Sequence, residues 1–165
     1  MGRLLPSAFL AIAGVATHAI PRVAGAQAQV VTLTLSGAPN VFPAPTAADY
    51  TAGVVVNPTG ILFTVDVTGG GAATQRTTIV SIRSSSASLG GGKPLSDLQW
   101  RRADLVTWNP MTTTNATIES RPVVRNGLND PWSNTVFFRT LLAWTTDPPA
   151  TYSAGLVFTL TVTTP

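Results

Sequence analysis

The chain has 165 residues, a formal net charge of +3, no cysteine and a single histidine, His18. This length is enough for one domain with its own hydrophobic core, so the absence of cysteine means that the core alone must hold the fold. Ser, Thr, Gly and Val dominate the chain beyond residue 28, whereas Lys and Glu, which usually fill helix surfaces, are nearly absent. This composition favours an all-β protein.

A basic and apolar leader precedes the rest of the chain. Arg3 is followed by an apolar run of 13 residues, 4–16, which is shorter than the about 20 residues that span a bilayer. Small residues at alternate positions then predict cleavage after Ala26 or Ala28. We therefore interpret residues 1–28 as a signal peptide and residues 29–165 as one exported domain.

Removal of this leader narrows the possible functions. Arg3 and Arg22 leave with it, so eight basic residues face seven acidic ones, and no dense basic patch remains for nucleic acid. No second apolar segment is long enough for membrane insertion. His18 also leaves, which excludes a Ser-His-Asp triad, a cysteine nucleophile and a zinc site built from His or Cys. We expect no enzymatic activity, no cofactor and no metal of this kind.

Apolar residues alternate with polar ones along several segments, and this period of two is typical of half-buried β-strands. It predicts long strands at residues 29–36, 50–56, 61–67, 77–84, 134–144 and 152–162, with shorter pieces between residues 98 and 120. About seven to nine short antiparallel strands, separated by turn signals every eight to twelve residues, indicate a single immunoglobulin-like or pilin-like β-sandwich. A closed barrel is the alternative.

Three details of this pattern make specific predictions. Residues 50–56 and 61–67, separated by a Pro-Gly turn, predict a hairpin. Residues 134–144 have apolar side chains on both faces and predict a central strand, with Val136, Phe138, Leu142 and Trp144 facing inward. Residues 152–162 predict the closing strand, in the middle of a sheet, with its even-numbered positions inward.

The aromatic residues supply both core packing and a candidate ligand surface. Trp100, Trp108 and Trp144 are predicted to pack mainly in the core, whereas Trp132 follows Pro131 in a turn and is predicted to be exposed. Small secreted sandwiches often present aromatic side chains to sugar rings. Trp132, Trp100 and Tyr50 are therefore the candidate residues of a carbohydrate-binding surface.

The seven carboxylates are scattered along the sequence. Glycoside hydrolysis needs two carboxyl groups about 5–10 Å apart across a cleft, and no spacing here predicts such a pair. A hydrolase would require the fold to bring two of them into one concave site. No run of Asp and Asn resembles the loop of an EF-hand. A calcium site built from dispersed loops is the alternative that the sequence leaves open.

The C-terminal residues 150–164 read A-T-Y-S-A-G-L-V-F-T-L-T-V-T-T. This stretch resembles the final strand of bacterial exported sandwich proteins, namely the chaperone–usher pilin subunits and the spore coat protein U group. The chain departs from that pattern by lacking the cysteine pair common in those subunits. The whole mature chain also looks like exported bacterial proteins. The resemblance implies a bacterial protein that is secreted or displayed at the cell surface.

The first predicted strand begins next to the cleavage site. Val31, Leu33 and Leu35 form its apolar row, and they pair either within their own sheet or, by strand exchange, with a neighbouring subunit. Together these features predict a non-catalytic structural or adhesive protein, whose partners are copies of itself or other surface proteins. The alternative is a carbohydrate-binding module whose partners are glycans.

Overall fold

The computed structural model describes residues 28–37, 40–71, 74–147 and 150–164, so the predicted leader lies outside the described residues except for Ala28. The described chain forms eleven strands and one α-helix: β1 Val30–Ser36, α1 Ala47–Ala52, β2 Val54–Val56, β3 Ile61–Thr68, β4 Arg76–Ser84, β5 Ser88–Gly90, β6 Lys93–Pro94, β7 Leu98–Arg102, β8 Asn109–Pro110, β9 Ala116–Val124, β10 Trp132–Leu141 and β11 Leu156–Thr163. A single 3-10 turn, Leu95–Asp97, precedes β7. The predicted all-β class is confirmed. Nowhere in these ranges is a helix long and apolar enough to cross a membrane.

The strands form two main antiparallel sheets. The larger has the order β1-β3-β10-β7-β8, with β2 also paired to β10, and the smaller has the order β11-β4-β9. β5 and β6 make a separate small hairpin. One hydrophobic cluster joins the inner faces of the two sheets through Phe63, Val136, Val80 and Ile82. Since β1 and β11 do not pair with each other, the sheets form a sandwich and not a closed barrel.

β10 is the central strand that its two apolar faces predict. It pairs with β3 and β2 on one side and with β7 on the other, and Val136, Phe138 and Leu142 are buried. Trp144 was predicted to face inward and is instead 62% exposed. The reason is that β10 ends at Leu141, so the alternation of faces no longer applies three residues later.

The predicted strand at residues 50–56 is wrong in its first half. α1 begins after Thr46, whose hydroxyl accepts a hydrogen bond from the Asp49 amide while the Asp49 carboxylate accepts one from the Thr46 amide. This capping box starts a short helix, which Gly53 ends with a left-handed φ of 72°. Only Val54–Val56 remain as a strand.

The predicted hairpin at residues 50–67 is also absent. β2 and β3 do not pair with each other; both pair with β10, at its end and at its beginning respectively. Between them the chain bends at buried Asn57, whose side-chain amide donates to the Asn40 side-chain oxygen at 2.8 Å and to the Val41 carbonyl at 2.7 Å. This bend holds the segment 40–45 against the sheet.

The closing strand has its inward face at the predicted positions, but it begins later and lies elsewhere in its sheet than predicted. Leu156, Phe158 and Leu160 pack against the core cluster, as the even positions predict. β11 nevertheless begins at Leu156 and lies at the edge of its sheet, because β4 takes the middle position with β9 on its other side. The predicted strand at the middle of a sheet is therefore corrected to an edge strand.

The first strand pairs within its own chain. Val31, Leu33 and Leu35 of β1 lie opposite Val67, Val65 and Phe63 of β3. One edge of β1 thus pairs with β3 of the same chain, which is the first of the two alternatives that the sequence leaves open.

Candidate functional site

Two strands on one side of the sandwich have an outer edge that pairs with no other described residue. β1 ends the larger sheet, β11 ends the smaller sheet, and the two strands lie next to each other. Neither contains a charged residue or a proline, over seven and eight residues respectively. Proteins usually protect exposed sheet edges with charges, prolines, bulges or very short strands, so these two edges are unprotected. We call the outer edges of β1 and β11 the open side.

The opposite side of the sandwich carries such protection. β8 has two residues, one of them Pro110, and β9 contains Glu119, Arg121 and Pro122. The pairing of β9 with β4 is also interrupted by register shifts. The lack of protection is therefore specific to the open side.

Some apolar side chains that face the core are partly exposed at the open side. Leu35 of β1 and Val162 of β11 belong to the inward rows, yet each is 39% exposed. Their strands are the last of their sheets, so within the described ranges no neighbouring strand covers Leu35 or Val162. A partner that extended both sheets would bury this apolar surface.

An apolar cleft of about 530 Å³ lies between the two sheets at the end where β10 finishes. The inner face of the larger sheet continues there through Phe138, Thr140 and Leu142, whereas β4 ends at Ser84 and β11 begins only at Leu156. Loops and the small β5–β6 hairpin take the place of the missing strands of the smaller sheet. The described residues that line the cleft are Asn40, Val41, Phe42, Pro43, Ala44, Pro45, Val55, Leu89, Leu98, Phe138, Thr140, Leu142, Ala150, Thr151, Tyr152, Ser153, Ala154 and Leu156.

A buried lysine ties these covering loops together. The ammonium nitrogen of Lys93 lies 2.7 Å from an Asp147 carboxylate oxygen and 2.9 Å from an Asp97 carboxylate oxygen. Asp147 also accepts a hydrogen bond from the Ala143 amide at 2.8 Å. Burial is the largest single influence on the pKa of Lys93 and lowers it, but the hydrogen bonds to Asp147 and Asp97 and the negative charges of these carboxylates together outweigh it, so the pKa of Lys93 is raised. The cluster holds the β5–β6 hairpin to residues 143–147.

The lysine cluster lies next to both the cleft and a stacked pair of aromatic residues, of which Trp144 is exposed. The Lys93 ammonium lies 5.6 Å from the centre of the Tyr152 ring, which lines the cleft. Tyr50 donates its hydroxyl to the Asp147 carbonyl at 3.1 Å and stacks on Trp144, with ring centres 4.6 Å apart and planes at 28°. We call Tyr50 and Trp144 the aromatic platform.

Two of the three predicted ligand residues do not reach the surface. Trp100 is buried on the inner face of β7, and Trp132 is only 3% exposed. The prediction for Trp132 is wrong because β10 begins at that residue and points it inward, where it meets Phe63 edge to face at 5.5 Å. Tyr50 remains a candidate, and its partner Trp144 is the residue that the sequence pattern assigned to the core.

The carboxylates are less scattered than the sequence indicates. Asp97 and Asp147 converge on Lys93, and Asp104 and Glu119 both accept hydrogen bonds from the Asn134 amide, at 3.3 and 3.0 Å.

A cation accompanies each of these pairs. Arg102 lies within ion-pair distance of both Asp104 and Glu119, and its hydrogen bond is the main cause of the low pKa of Asp104, about 2. Neither carboxylate pair lines the cleft. Within the described ranges no group of three or more His, Cys, Asp or Glu residues is arranged to hold a metal ion.

A second aromatic group lies on the outer face of the larger sheet. The guanidinium carbons of Arg101 and Arg139 lie 5.1 and 4.6 Å from the ring centre of Trp108. Arg139 is further oriented by its hydrogen bond to the Gln99 side chain at 2.7 Å. Trp108 is therefore covered by cationic side chains, in contrast to Trp144.

The fold and these surfaces define an all-β, antiparallel sandwich with an unprotected open side and an apolar cleft. Comparison of the chain with protein-family models, with curated proteins and with solved structures gave no match. The functional argument therefore rests on the described residues themselves.

Proposed function

We propose that the protein is a non-catalytic structural subunit, exported to the cell surface, whose copies assemble through the open side. The observation that carries this proposal is the pair of adjacent, uncharged outer edges of β1 and β11 with incompletely covered apolar rows. Unpaired backbone groups on such edges favour pairing with another strand. A second copy supplies strands of the same length and the same alternation of faces.

A two-fold contact satisfies the pattern of β1 without changing its faces. In an antiparallel pair of β1 strands centred on Leu33, Val31 of one copy lies opposite Leu35 of the other, and Thr32 lies opposite Thr34. Apolar residues thus meet apolar residues on the core face, and threonines meet threonines on the outer face. Because β11 lies beside β1, one contact extends both sheets and buries more surface than a single strand pair.

The test places like charges across the proposed contact. Thr32→Lys combined with Thr34→Lys puts lysine opposite lysine between copies, which opposes pairing. Inside one molecule Thr32 lies opposite Asp66 and Thr34 opposite Thr64, so the first lysine gains an opposite charge and the fold is retained. The matched control is Thr117→Lys with Ser120→Lys, two exposed positions on the protected strand β9.

Sedimentation velocity over a range of protein concentrations measures the oligomeric state of the wild type and of both variants. We expect wild type and the β9 control to form dimers or larger assemblies as concentration rises, and the β1 variant to remain a monomer. A wild-type protein that stays monomeric at the highest concentration, or equal loss of assembly in both variants, contradicts the proposal.

The aromatic platform favours glycan binding as a second candidate function. Trp144 exposes its indole while stacked on Tyr50, and a held, exposed aromatic ring suits stacking against a sugar ring. We expect Trp144→Ala to lower the affinity for a glycan identified on an array by about tenfold or more. Trp108→Ala is the matched control, since its indole is covered by two arginines. An array without signal, or equal loss in both variants, argues against this function.

A further inference from the structure

The cleft between the sheets has the size and composition of a small-molecule site. We propose that it binds one uncharged, largely apolar molecule with a single hydroxyl or carbonyl group, which hydrogen-bonds to the Thr140 hydroxyl. This ligand site is distinct from the open side, because assembly through strand edges does not require the cleft to be occupied. Three properties of the cleft lead to this ligand chemistry.

The first property is space with apolar walls. The volume of about 530 Å³ lies within the range of roughly 300–1,000 Å³ typical of ligand sites. Val55, Phe138 and Leu142 form the wall on the larger sheet, and Leu89 and Leu156 contribute to the facing wall. Such walls favour a ligand whose surface is mostly hydrocarbon.

The second property is the lack of charge. None of the described residues that line the cleft is Asp, Glu, Lys or Arg. Lys93 lies behind Tyr152, and its ammonium group is already paired with two carboxylates. An ionised ligand would lose its hydration without gaining a counter-charge, so the site selects an uncharged molecule.

The third property is one polar group without a partner. Thr140 lines the cleft, and its buried hydroxyl oxygen has no hydrogen-bond partner in the described part of the chain. Asn40, by contrast, donates to the Thr59 carbonyl and accepts from Asn57. Thr140 as a whole is partly exposed, and the proposed contact requires a rotation about its χ1 bond that turns the buried hydroxyl toward the cleft. A ligand oxygen there satisfies a group that is otherwise costly to bury.

The binding experiment uses an uncharged apolar fluorophore and two competitors of equal chain length. N-phenyl-1-naphthylamine is titrated into the purified protein and then displaced by 1-decanol or by decanoate at pH 8. We expect saturable binding of the fluorophore, displacement by decanol, and an affinity for decanoate at least tenfold weaker. Absence of saturable binding, or equal competition by the alcohol and the carboxylate, overturns the proposal.

Two cleft variants and one control locate the site. Thr140→Val keeps the side-chain shape and removes the hydroxyl, so decanol affinity should fall roughly threefold to tenfold while fluorophore affinity is unchanged. Ala154→Phe fills the cleft and should weaken both ligands. Val106→Ala, at a position that is 90% exposed and outside the cleft, should bind as wild type.

A thermal melt of Thr140→Val completes the test. Replacing an unpaired buried hydroxyl by a methyl group should leave the melting temperature unchanged or raise it. Weaker decanol binding with an unchanged melt therefore reports a lost ligand contact and not a loosened fold. Decanol binding equal to wild type in Thr140→Val, or equal to wild type in Ala154→Phe, would falsify the assignment of the site.

Discussion

Replacing the buried lysine should cost a large part of the stability of this domain. In Lys93→Met a side chain of similar length keeps the packing, but Asp147 and Asp97 lose the cation that lies 2.7 and 2.9 Å away. Removing one partner of a buried ion pair typically destabilises a protein by about 3–5 kcal/mol, because the remaining charge is left uncompensated. Against a total free energy of unfolding of about 5–15 kcal/mol, this loss is about a fifth or more.

Urea unfolding followed by circular dichroism measures this loss of stability. The stabilising contribution of Lys93 should decrease at high pH. The pKa of Lys93 is raised in the folded protein, so its stabilising contribution is complete below the ordinary lysine pKa of 10.5. The contribution is then lost as the pH rises through the folded pKa. The difference in free energy between wild type and Lys93→Met should therefore be constant from pH 7 to about pH 10 and shrink above it.

Two further variants isolate the buried charge as the cause. Adding Asp147→Asn to Lys93→Met removes one uncompensated carboxylate while an amide oxygen can still accept from the Ala143 amide, so part of the stability should return. Arg121→Met breaks the more exposed ion pair with Glu119 and should cost only about 1 kcal/mol. If Lys93→Met unfolds at the wild-type urea concentration at pH 7, the reasoning about the cluster is refuted.

Three other substitutions test the core and a surface ion pair. Phe158→Asp should unfold the domain, since it places an unpaired charge against the core cluster; a cooperative melt near the wild-type temperature would mean that the faces of β11 are reversed. Trp132→Ala should lower the free energy of unfolding, measured in urea, by about 3–5 kcal/mol and leave glycan binding intact. If this variant instead loses glycan binding at wild-type stability, Trp132 is a ligand-binding residue after all. Asp104→Asn should cost less than about 1 kcal/mol at pH 7, because the Asp104 side chain is 52% exposed. With a folded pKa of about 2, this contribution is present above pH 4 and lost as the pH falls through about 2, and acid titration of both proteins measures it.

The alternation of apolar and polar residues correctly predicted which side chains are buried in the interior of a strand. Phe63, Val80 and Phe138 are buried as their patterns indicate, because each lies inside a regular ladder. The same pattern failed for Trp144, which lies beyond the end of β10, and Trp132, predicted to be exposed from its place in a turn after Pro131, is the first residue of that strand. The direction of such a side chain depends on the residue at which pairing starts or stops, and tertiary pairing decides that residue.

The site residues depended on contacts that spacing does not reveal. Lys93 and Asp147 are far apart in the sequence, and nothing in either segment predicts their ion pair. Edge and centre positions of strands are also set by strand order, which periodicity leaves undetermined. One local signal was available for α1: Thr46 and Asp49 are spaced as in a capping box, and this predicts a helix start before Tyr50.

The position of the lysine cluster follows from the unequal sizes of the two sheets. The smaller sheet has three strands and leaves the end of β10 to be covered by loops and by the small β5–β6 hairpin, which does not pair with either main sheet. A chain without cysteine cannot tie such loops with disulfides, and here its only lysine does so by pairing with Asp97 and Asp147. The Lys93 ammonium also lies 5.6 Å from the centre of the Tyr152 ring, so we expect the cluster to help position this wall of the cleft. Lys93→Met should weaken binding of the naphthylamine fluorophore more than Arg121→Met does, at a temperature where both remain folded; equal affinities would show that the cleft walls hold their position without the cluster.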